Sequence, residues 1–162
     1  MLMVSFTGMP SNYAKITDNV SRSAQPQKDD FTWLKNQGVT DVINFRTMGV
    51  AGVDFDEKTT VENLGMKYHN IPTHTRVPKE SQVFEFLNLV DSITANDGKV
   101  HIHCMAGADR TGMYSFIYKT MKNIGTSTEN VKEWLDLGHH QKLYPNLIGW
   151  AKEFVTHLKQ VK

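Results

Sequence analysis

One cysteine and one arginine stand close together in the segment VHIHCMAGADRTG, which runs from Val100 to Gly112. Cys104 is the only cysteine of the chain and ends an apolar run, and Arg110 follows six residues later. A thiolate beside a cation or a helix N-terminus is a strong nucleophile, and a guanidinium holds two phosphate oxygens at once. This combination is suited to nucleophilic chemistry on an anionic group such as a phosphoryl group.

The residues between Cys104 and Arg110 are typical of a loop that binds an anion. A strand, a loop of small residues and a helix, in that order, gather backbone N–H groups around an anion at the helix N-terminus. We expect the Thr111 hydroxyl to donate to the cysteine sulfur and Gly112 to ease the first helical turn against its neighbours. The residues predicted to bind substrate here are Met105, Ala106, Gly107, Ala108 and Thr111.

The segments around this loop alternate between strand and helix patterns, which predicts an α/β fold. Extended structure is expected at residues 15–23, 40–45 and 66–71, and a central strand at residues 99–103. Helices are expected at residues 27–37 and 54–63, on the apolar residues of 83–93 and 113–124, after Thr126 as far as Gly138, and after Pro145. A stretch broken by glycines at 49–52 separates the second strand from the second helix.

The composition is that of one globular domain covering residues 1–162. The chain has 162 residues, of which 40% are hydrophobic and 22% charged, with 18 Lys and Arg against 17 Asp and Glu. This balance gives no argument for nucleic acid as a partner, and no apolar run approaches the roughly 18 residues of a membrane span. One cysteine cannot form an internal disulfide, and the N-terminus lacks the pattern of a signal peptide, so we expect a cytoplasmic protein.

The segment around Cys104 resembles the signature of the cysteine-dependent protein-tyrosine and dual-specificity phosphatases. That signature reads His-Cys, five residues, Arg, then Ser or Thr, and it is matched by His103, Cys104, Arg110 and Thr111. Residues 21–26, 41–46 and 66–72 are similar to elements of small bacterial dual-specificity-like members. The resemblance implies a dual-specificity-phosphatase-like fold, with a central mixed β-sheet flanked by helices and the phosphate-binding loop between a strand and a helix.

The same resemblance implies a reaction in two steps, in which Cys104 becomes a phosphocysteine that water then hydrolyses. Arg110 and the loop amides would stabilise the transferred group, and no metal or organic cofactor is implied. Most members carry the general acid as an aspartate on a separate loop, but the matching segment here, PTHTRVPKES, has none. Members with an aspartate directly before the arginine are similar to this chain, which implies that Asp109 is the acid. His74 is the alternative acid, and helix capping is the alternative role of Asp109.

The substrate is expected to be a phosphorylated protein or a small phosphomonoester, and the loop is expected to bind phosphate, sulfate or vanadate. The loop contains no lysine, which favours a substrate with a single phosphomonoester. An inositol phosphate or phosphoinositide phosphatase is one alternative, and a non-catalytic phosphate-binding module is another. We predict that His74, Arg76 and Arg46 line the pocket, although both arginines are equally compatible with a surface position.

The other polar residues are predicted to be structural or solvated. His103 is expected to be structural, and no role is assigned to His101. Solvent exposure rather than metal binding is expected for His139 and His140 after a helix and for Asp54, Asp56 and Glu57 at a helix start.

Overall fold

Five short strands form a single mixed sheet at the centre of the protein. The computed structural model describes residues 8–47 and 53–160, so the predicted break at 49–52 lies outside the described residues. The strands are β1 Ala14–Thr17, β2 Val20–Ser23, β3 Asp41–Asn44, β4 Lys67–Asn70 and β5 Val100–His103. Their order is β1-β2-β5-β3-β4, with β1 antiparallel to β2 and the other pairs parallel. The predicted central position of the strand before Cys104 is therefore confirmed.

Six helices among the described residues cover this sheet. They are α1 Lys28–Asn36, α2 Glu57–Asn63, α3 Glu80–Ala95, α4 Arg110–Met121, α5 Ser127–Asp136 and α6 Leu147–Gln160. Helix α2 begins three residues after the predicted start, because the Asp56 side chain accepts the Thr59 N–H and acts as its N-cap. The predicted cap of α5 is present, since Thr126 accepts the Glu129 N–H at 3.1 Å. Within residues 8–47 and 53–160, no helix has the length and apolar character needed to cross a membrane.

The sheet separates two hydrophobic clusters. The larger one joins Ile43 and Ile102 to the buried faces of α3, α4 and α6, and the smaller one joins Val42 to α1 and α2. Strand residues alternate between the two faces, so His101 and His103 point away from the larger cluster. The His101 ring stacks on Tyr13 at 6.0 Å, and the His103 ring meets Phe31 edge-on at 6.4 Å. The central strand therefore carries two imidazoles into the interior directly before the cysteine.

His101 is a fully buried histidine held by two serines of β2. Its Nδ1 lies 2.8 Å from Ser21 Oγ, and its Nε2 lies 2.7 Å from Ser23 Oγ. Burial lowers the pKa of His101 well below its ordinary value, and the charge of His103 lowers it further. The ring is therefore neutral in the folded protein and serves to bind β2 to β5.

This neutral ring predicts that stability falls as the pH falls below about 6.5. His101 is protonated in the unfolded chain below that pH but not in the folded one, so acid favours unfolding. Between pH 7.5 and 5.5 the loss in the free energy of unfolding from His101 alone should be on the order of 1 kcal/mol. Urea titrations at both pH values should show a smaller loss for His101→Asn than for the wild type. Parallel losses in the two proteins would contradict the assignment.

Candidate active site

The loop from Cys104 to Asp109 joins the end of the central strand to the first residue of α4. Cys104 directly follows β5 and its residue is only 2% exposed. Arg110 opens the helix, so the strand, loop and helix occur in the predicted order. Gly107 has a φ of +70°, and a Cβ on it would lie 2.4 Å from the backbone of Ser23 and Ala24. Glycine is therefore required where the loop crosses the end of β2.

Three side-chain and backbone donors fix the outer side of this loop. The Gln25 N–H donates to Met105 O at 2.9 Å, Asn12 Nδ2 to Ala106 O at 3.3 Å, and Arg22 Nη2 to Gly107 O at 2.8 Å. In a trans peptide the C=O and the following N–H point in opposite directions. The N–H groups that follow these three carbonyls, on residues 106 to 108, therefore face the inside of the loop. Converging N–H groups of this kind form a binding site for an anion.

Arg22 is a buried charge that the sequence analysis did not identify. Its residue is 1% exposed, although it lies on a strand between two serines. Burial lowers the pKa of Arg22 to about 10, while the negative charges of Glu133 and Cys104 act in the opposite direction. The guanidinium is still protonated at neutral pH, so it places a positive charge next to the cysteine. The unusual signal in the sequence is an arginine inside a short strand.

Replacement of Arg22 with methionine is expected to lower kcat/KM by about 10- to 100-fold. This range is the equivalent of the free energy lost when one buried carbonyl has no hydrogen-bonding partner. Gly107 O would lose its donor, and the N–H groups of the loop would lose their alignment. Phosphate release from an aryl phosphate would measure the effect. Lys132→Met, which removes an exposed cation on α5, is the matched control and should be neutral. A change of less than twofold for Arg22→Met would contradict this role.

His103 and Glu57 form a buried pair behind the cysteine. His103 Nε2 lies 2.8 Å from Glu57 Oε2, and His103 Nδ1 lies 3.1 Å from Cys104 O. Both ring nitrogens therefore have an oxygen partner, one from a side chain and one from the backbone. The structural role predicted for His103 agrees with this position. The prediction that Glu57 is solvated is wrong, since Glu57 is 3% exposed and turns inward to His103 and to Gln25 Nε2.

Arg110 is anchored at the carboxyl ends of two strands. Its Nη1 donates to Phe45 O at 3.5 Å and to Thr73 O at 3.4 Å, which are long contacts. Thr111 is fully buried, and its hydroxyl has no hydrogen-bonding partner among the described residues. The hydrogen bond predicted from Thr111 to the cysteine sulfur is therefore not formed.

Asp109 binds the segment between α5 and α6. Its Oδ1 lies 2.7 Å from His139 Nδ1 and accepts the His140 N–H at 2.8 Å, and its Oδ2 lies 2.8 Å from His140 Nδ1. Asp109 is the N-cap residue of α4, but its side chain makes no capping hydrogen bond, so the predicted bonding of this carboxylate to the exposed helix amides is wrong. His139 is 7% exposed and stacks on Trp134 at 4.8 Å, so the prediction that it is solvated is also wrong. The side chain of His140 is half exposed.

The other predicted pocket residues lie in two places. Arg46 is 8% exposed and donates to Gln25 Oε1 at 3.0 Å, so it is not a surface charge. Arg76 is exposed, donates to Leu143 O at 3.1 Å and lies over the Tyr144 ring at 5.2 Å. His74 is exposed and directly follows Thr73, whose carbonyl accepts from Arg110. Across residues 8–47 and 53–160, no group of three or more His, Cys, Asp or Glu residues is placed to hold a metal ion.

Comparisons with known proteins agree with this architecture. A curated relative, the CDC14 homolog tyrosine-protein phosphatase of Schizosaccharomyces pombe, is 27% identical over 106 residues, which is 65% of this chain. The chain spans only 18% of the length of that relative. TpbA of P. aeruginosa, solved with phosphotyrosine, has 16% identity, a TM-score of 0.71 and 91% coverage of each chain.

A second similar structure is the catalytic domain of the PP-IP phosphatase SIW14 of S. cerevisiae, solved with citrate. It has 15% identity and a TM-score of 0.75, and the match covers 89% of this chain and 85% of that domain. The predicted dual-specificity-phosphatase-like α/β fold is confirmed by these likenesses. The family model described as "Polymorphic toxin system, DSP-PTPase phosphatase" matches residues 17–120. The chain therefore belongs to this DSP-PTPase phosphatase family, as the signature around Cys104 predicted.

Proposed function

We propose that the protein hydrolyses phosphomonoesters of the phosphotyrosine type through a phosphocysteine intermediate. The observation that carries the proposal is the position of Cys104 at the end of the central strand, beneath converging N–H groups and before Arg110. Buried Arg22 binds Gly107 O and buried His103 lies 3.1 Å from Cys104 O, so both side chains hold the backbone of the loop around the cysteine. The site therefore combines a nucleophile with donors for the oxygens of a transferred phosphoryl group.

In the first step, Cys104 Sγ attacks phosphorus, the bond from phosphorus to the ester oxygen breaks, and that oxygen leaves with a proton supplied through Asp109. In the second step, a water oxygen attacks the phosphocysteine, its proton returns to Asp109, and inorganic phosphate and the thiolate are released. Arg110 and the loop N–H groups hold the equatorial oxygens in both steps. The exposed His74 is the alternative proton donor.

The surface around the loop favours an aromatic phosphoester. The loop and two other segments each expose a large apolar side chain: Met105 at 63%, Val77 at 66% and Leu143 at 53%. A cleft of about 100 Å³ lies between two of these segments and is lined by Arg76 and Tyr144. An aryl ring and the neighbouring residues of a peptide can pack on such a surface.

An inositol phosphate is the second candidate substrate. The cations on the segment after β4 support it, because exposed Arg76 and Lys79 would offer charge to additional phosphates. The likeness to the PP-IP phosphatase SIW14 is consistent with this alternative. Asp109 and the absence of lysine from the loop itself favour a substrate with a single phosphate.

The test is phosphate release at several pH values from a phosphotyrosine peptide, a phosphoserine peptide and a set of inositol phosphates, with Cys104→Ser as the blank. We expect the phosphotyrosine peptide to be hydrolysed fastest. A preference for inositol phosphates would support the second candidate. Release no faster than the blank on every substrate would overturn the enzymatic proposal and favour a phosphate-binding module.

A further inference from the structure

The carboxylate proposed to handle the leaving-group proton is already bound by three donors. Both oxygens of Asp109 are engaged by the segment between α5 and α6, at distances of 2.7 to 2.8 Å. Three nitrogen atoms of one segment therefore converge on this carboxylate. A proton that passes through Asp109 to the leaving oxygen can be replaced through a histidine ring among these partners.

His140 is the partner that meets the requirements of a proton store. Its Nδ1 is 2.8 Å from Asp109 Oδ2, so one proton lies between the two atoms. Its side chain is 50% exposed, which leaves the ring open to proton exchange with solvent. Histidine titrates within the physiological pH range, as a group that donates and recovers a proton in each cycle must.

His139 has a different position and a different task. It is 7% exposed and stacks on Trp134, so it is shielded from solvent. Its Nδ1 fixes Asp109 Oδ1, whereas its Nε2 has no partner among the described residues. A neutral ring with its proton on Nδ1 satisfies this arrangement. His139 therefore orients the carboxylate without exchanging protons.

The segment between α5 and α6, which carries His139 and His140, packs against the phosphate-binding loop. Asn12 Nδ2 donates to Leu137 O at 2.9 Å as well as to Ala106 O, so one amide ties the two segments together. A Cβ at Gly138 would lie 3.6 Å from Ala108 Cβ, which is van der Waals contact. The position of His140 relative to Asp109 is thus set by contacts on both sides of the pair.

We propose that Asp109 and His140 together form the proton donor of this enzyme, with His140 as the positioning residue that stores the proton. The proposal rests on the phosphatase function proposed above. The proton moves from His140 Nδ1 to Asp109, and from Asp109 to the leaving oxygen as the phosphorus–oxygen bond breaks. In the second step the proton of the attacking water returns to Asp109 and then to His140. The pair ends each cycle with the charge and the proton with which it began.

The test compares two aryl phosphates that differ in how much they need an acid. p-Nitrophenyl phosphate releases a stable phenolate, whereas phenyl phosphate needs a proton on its leaving oxygen. His140→Asn is expected to lower kcat for phenyl phosphate by about 100-fold and kcat for p-nitrophenyl phosphate by less than about threefold. Asp109→Asn should show the same selectivity. His157→Asn, an exposed histidine on α6, is the matched control and should change neither rate.

The pH profile provides a second measure. For phenyl phosphate, the decline of kcat/KM at high pH should be present in the wild type and absent in His140→Asn. The other groups around the ring are Asp109, His139 and Arg110, together with Lys142 and Tyr144 on the same segment, and Arg76, which is bonded to Leu143 O.

Two outcomes would overturn the proton store. An equal loss of both rates in His140→Asn would mean that His140 only supports the loop, and no loss would mean that it has no part in the reaction. Selective loss in His74→Asn instead would assign the acid to the other loop. Failure of the phosphatase proposal itself would look different, because wild type and Cys104→Ser would then release phosphate equally slowly.

Discussion

Replacement of Cys104 with serine is expected to lower kcat by about 10⁴-fold or more while the anion-binding loop stays intact. A serine hydroxyl does not ionise near neutral pH and needs a base to attack phosphorus. His103 does not serve as that base, because both of its ring nitrogens are engaged, one by Glu57 and one by Cys104 O. His101 is engaged in the same way by Ser21 and Ser23.

The measurement is steady-state hydrolysis of p-nitrophenyl phosphate beside calorimetric binding of vanadate or inorganic phosphate. The serine variant should bind the anion and melt at the temperature of the wild type, because the substitution is nearly isosteric in a buried position. Residual activity within tenfold of the wild type would show that another residue is the nucleophile. If the serine variant loses both activity and folding, Cys104→Ala takes its place, and its melting temperature is again compared with that of the wild type.

Replacement of Arg110 with lysine is expected to lower kcat/KM by about 10³-fold, the lower end of what an arginine contributes to phosphoryl transfer elsewhere. Lysine keeps the charge but lacks the planar fork, so it cannot hold two phosphate oxygens in parallel. The branched guanidinium of Arg110 contacts Phe45 O and Thr73 O through Nη1 and keeps its other nitrogens for a ligand. The single ammonium of lysine cannot do both.

The variant also separates binding of the phosphoryl group from reactivity of the sulfur. Alkylation of Cys104 by iodoacetate should proceed at a rate close to that of the wild type, because the contacts of Arg22 with Gly107 O and of His103 with Cys104 O are unchanged. Protection of Cys104 by phosphate should weaken in parallel with the loss of turnover. Full activity in Arg110→Lys would mean that charge alone is sufficient at this position. Slow alkylation with normal phosphate protection would contradict the assigned division of roles.

Local patterns were enough to predict the elements of the fold and the centre of the site. Cys104 and Arg110 lie at the two ends of one short segment, so the residues that define the centre of the site are neighbours in the sequence. The positions of β5 and α4 followed from the apolar run before the loop and the helical periodicity after it. The cap residues of α5 were equally visible, because the bond from Glu129 to Thr126 joins residues three apart.

The supporting residues were missed because tertiary packing, rather than spacing, brings them to the loop. Arg22 meets Gly107 across 85 residues, Glu57 meets His103 across 46, and His139 meets Asp109 across 30. Each of these residues is polar, and composition alone assigns polar residues to the surface. The buried positions of these residues were therefore not predicted, because a single sequence does not show which distant polar residues meet in the interior.

The position of β2 between β1 and β5 makes the contact of Arg22 with the loop depend on residues that lie far apart in the chain. β2 pairs with β5 in parallel register, with Val20 opposite Val100, and Arg22 reaches Gly107 only once that pairing exists. Closing a chain segment of this length is slow compared with forming the local contacts of α4 and α5. In a refolding experiment, burial of Trp134 against Gly112 can precede this closure, whereas turnover at the full wild-type rate is expected to follow it. Recovery of the full catalytic rate is therefore expected to lag behind the recovery of Trp134 burial.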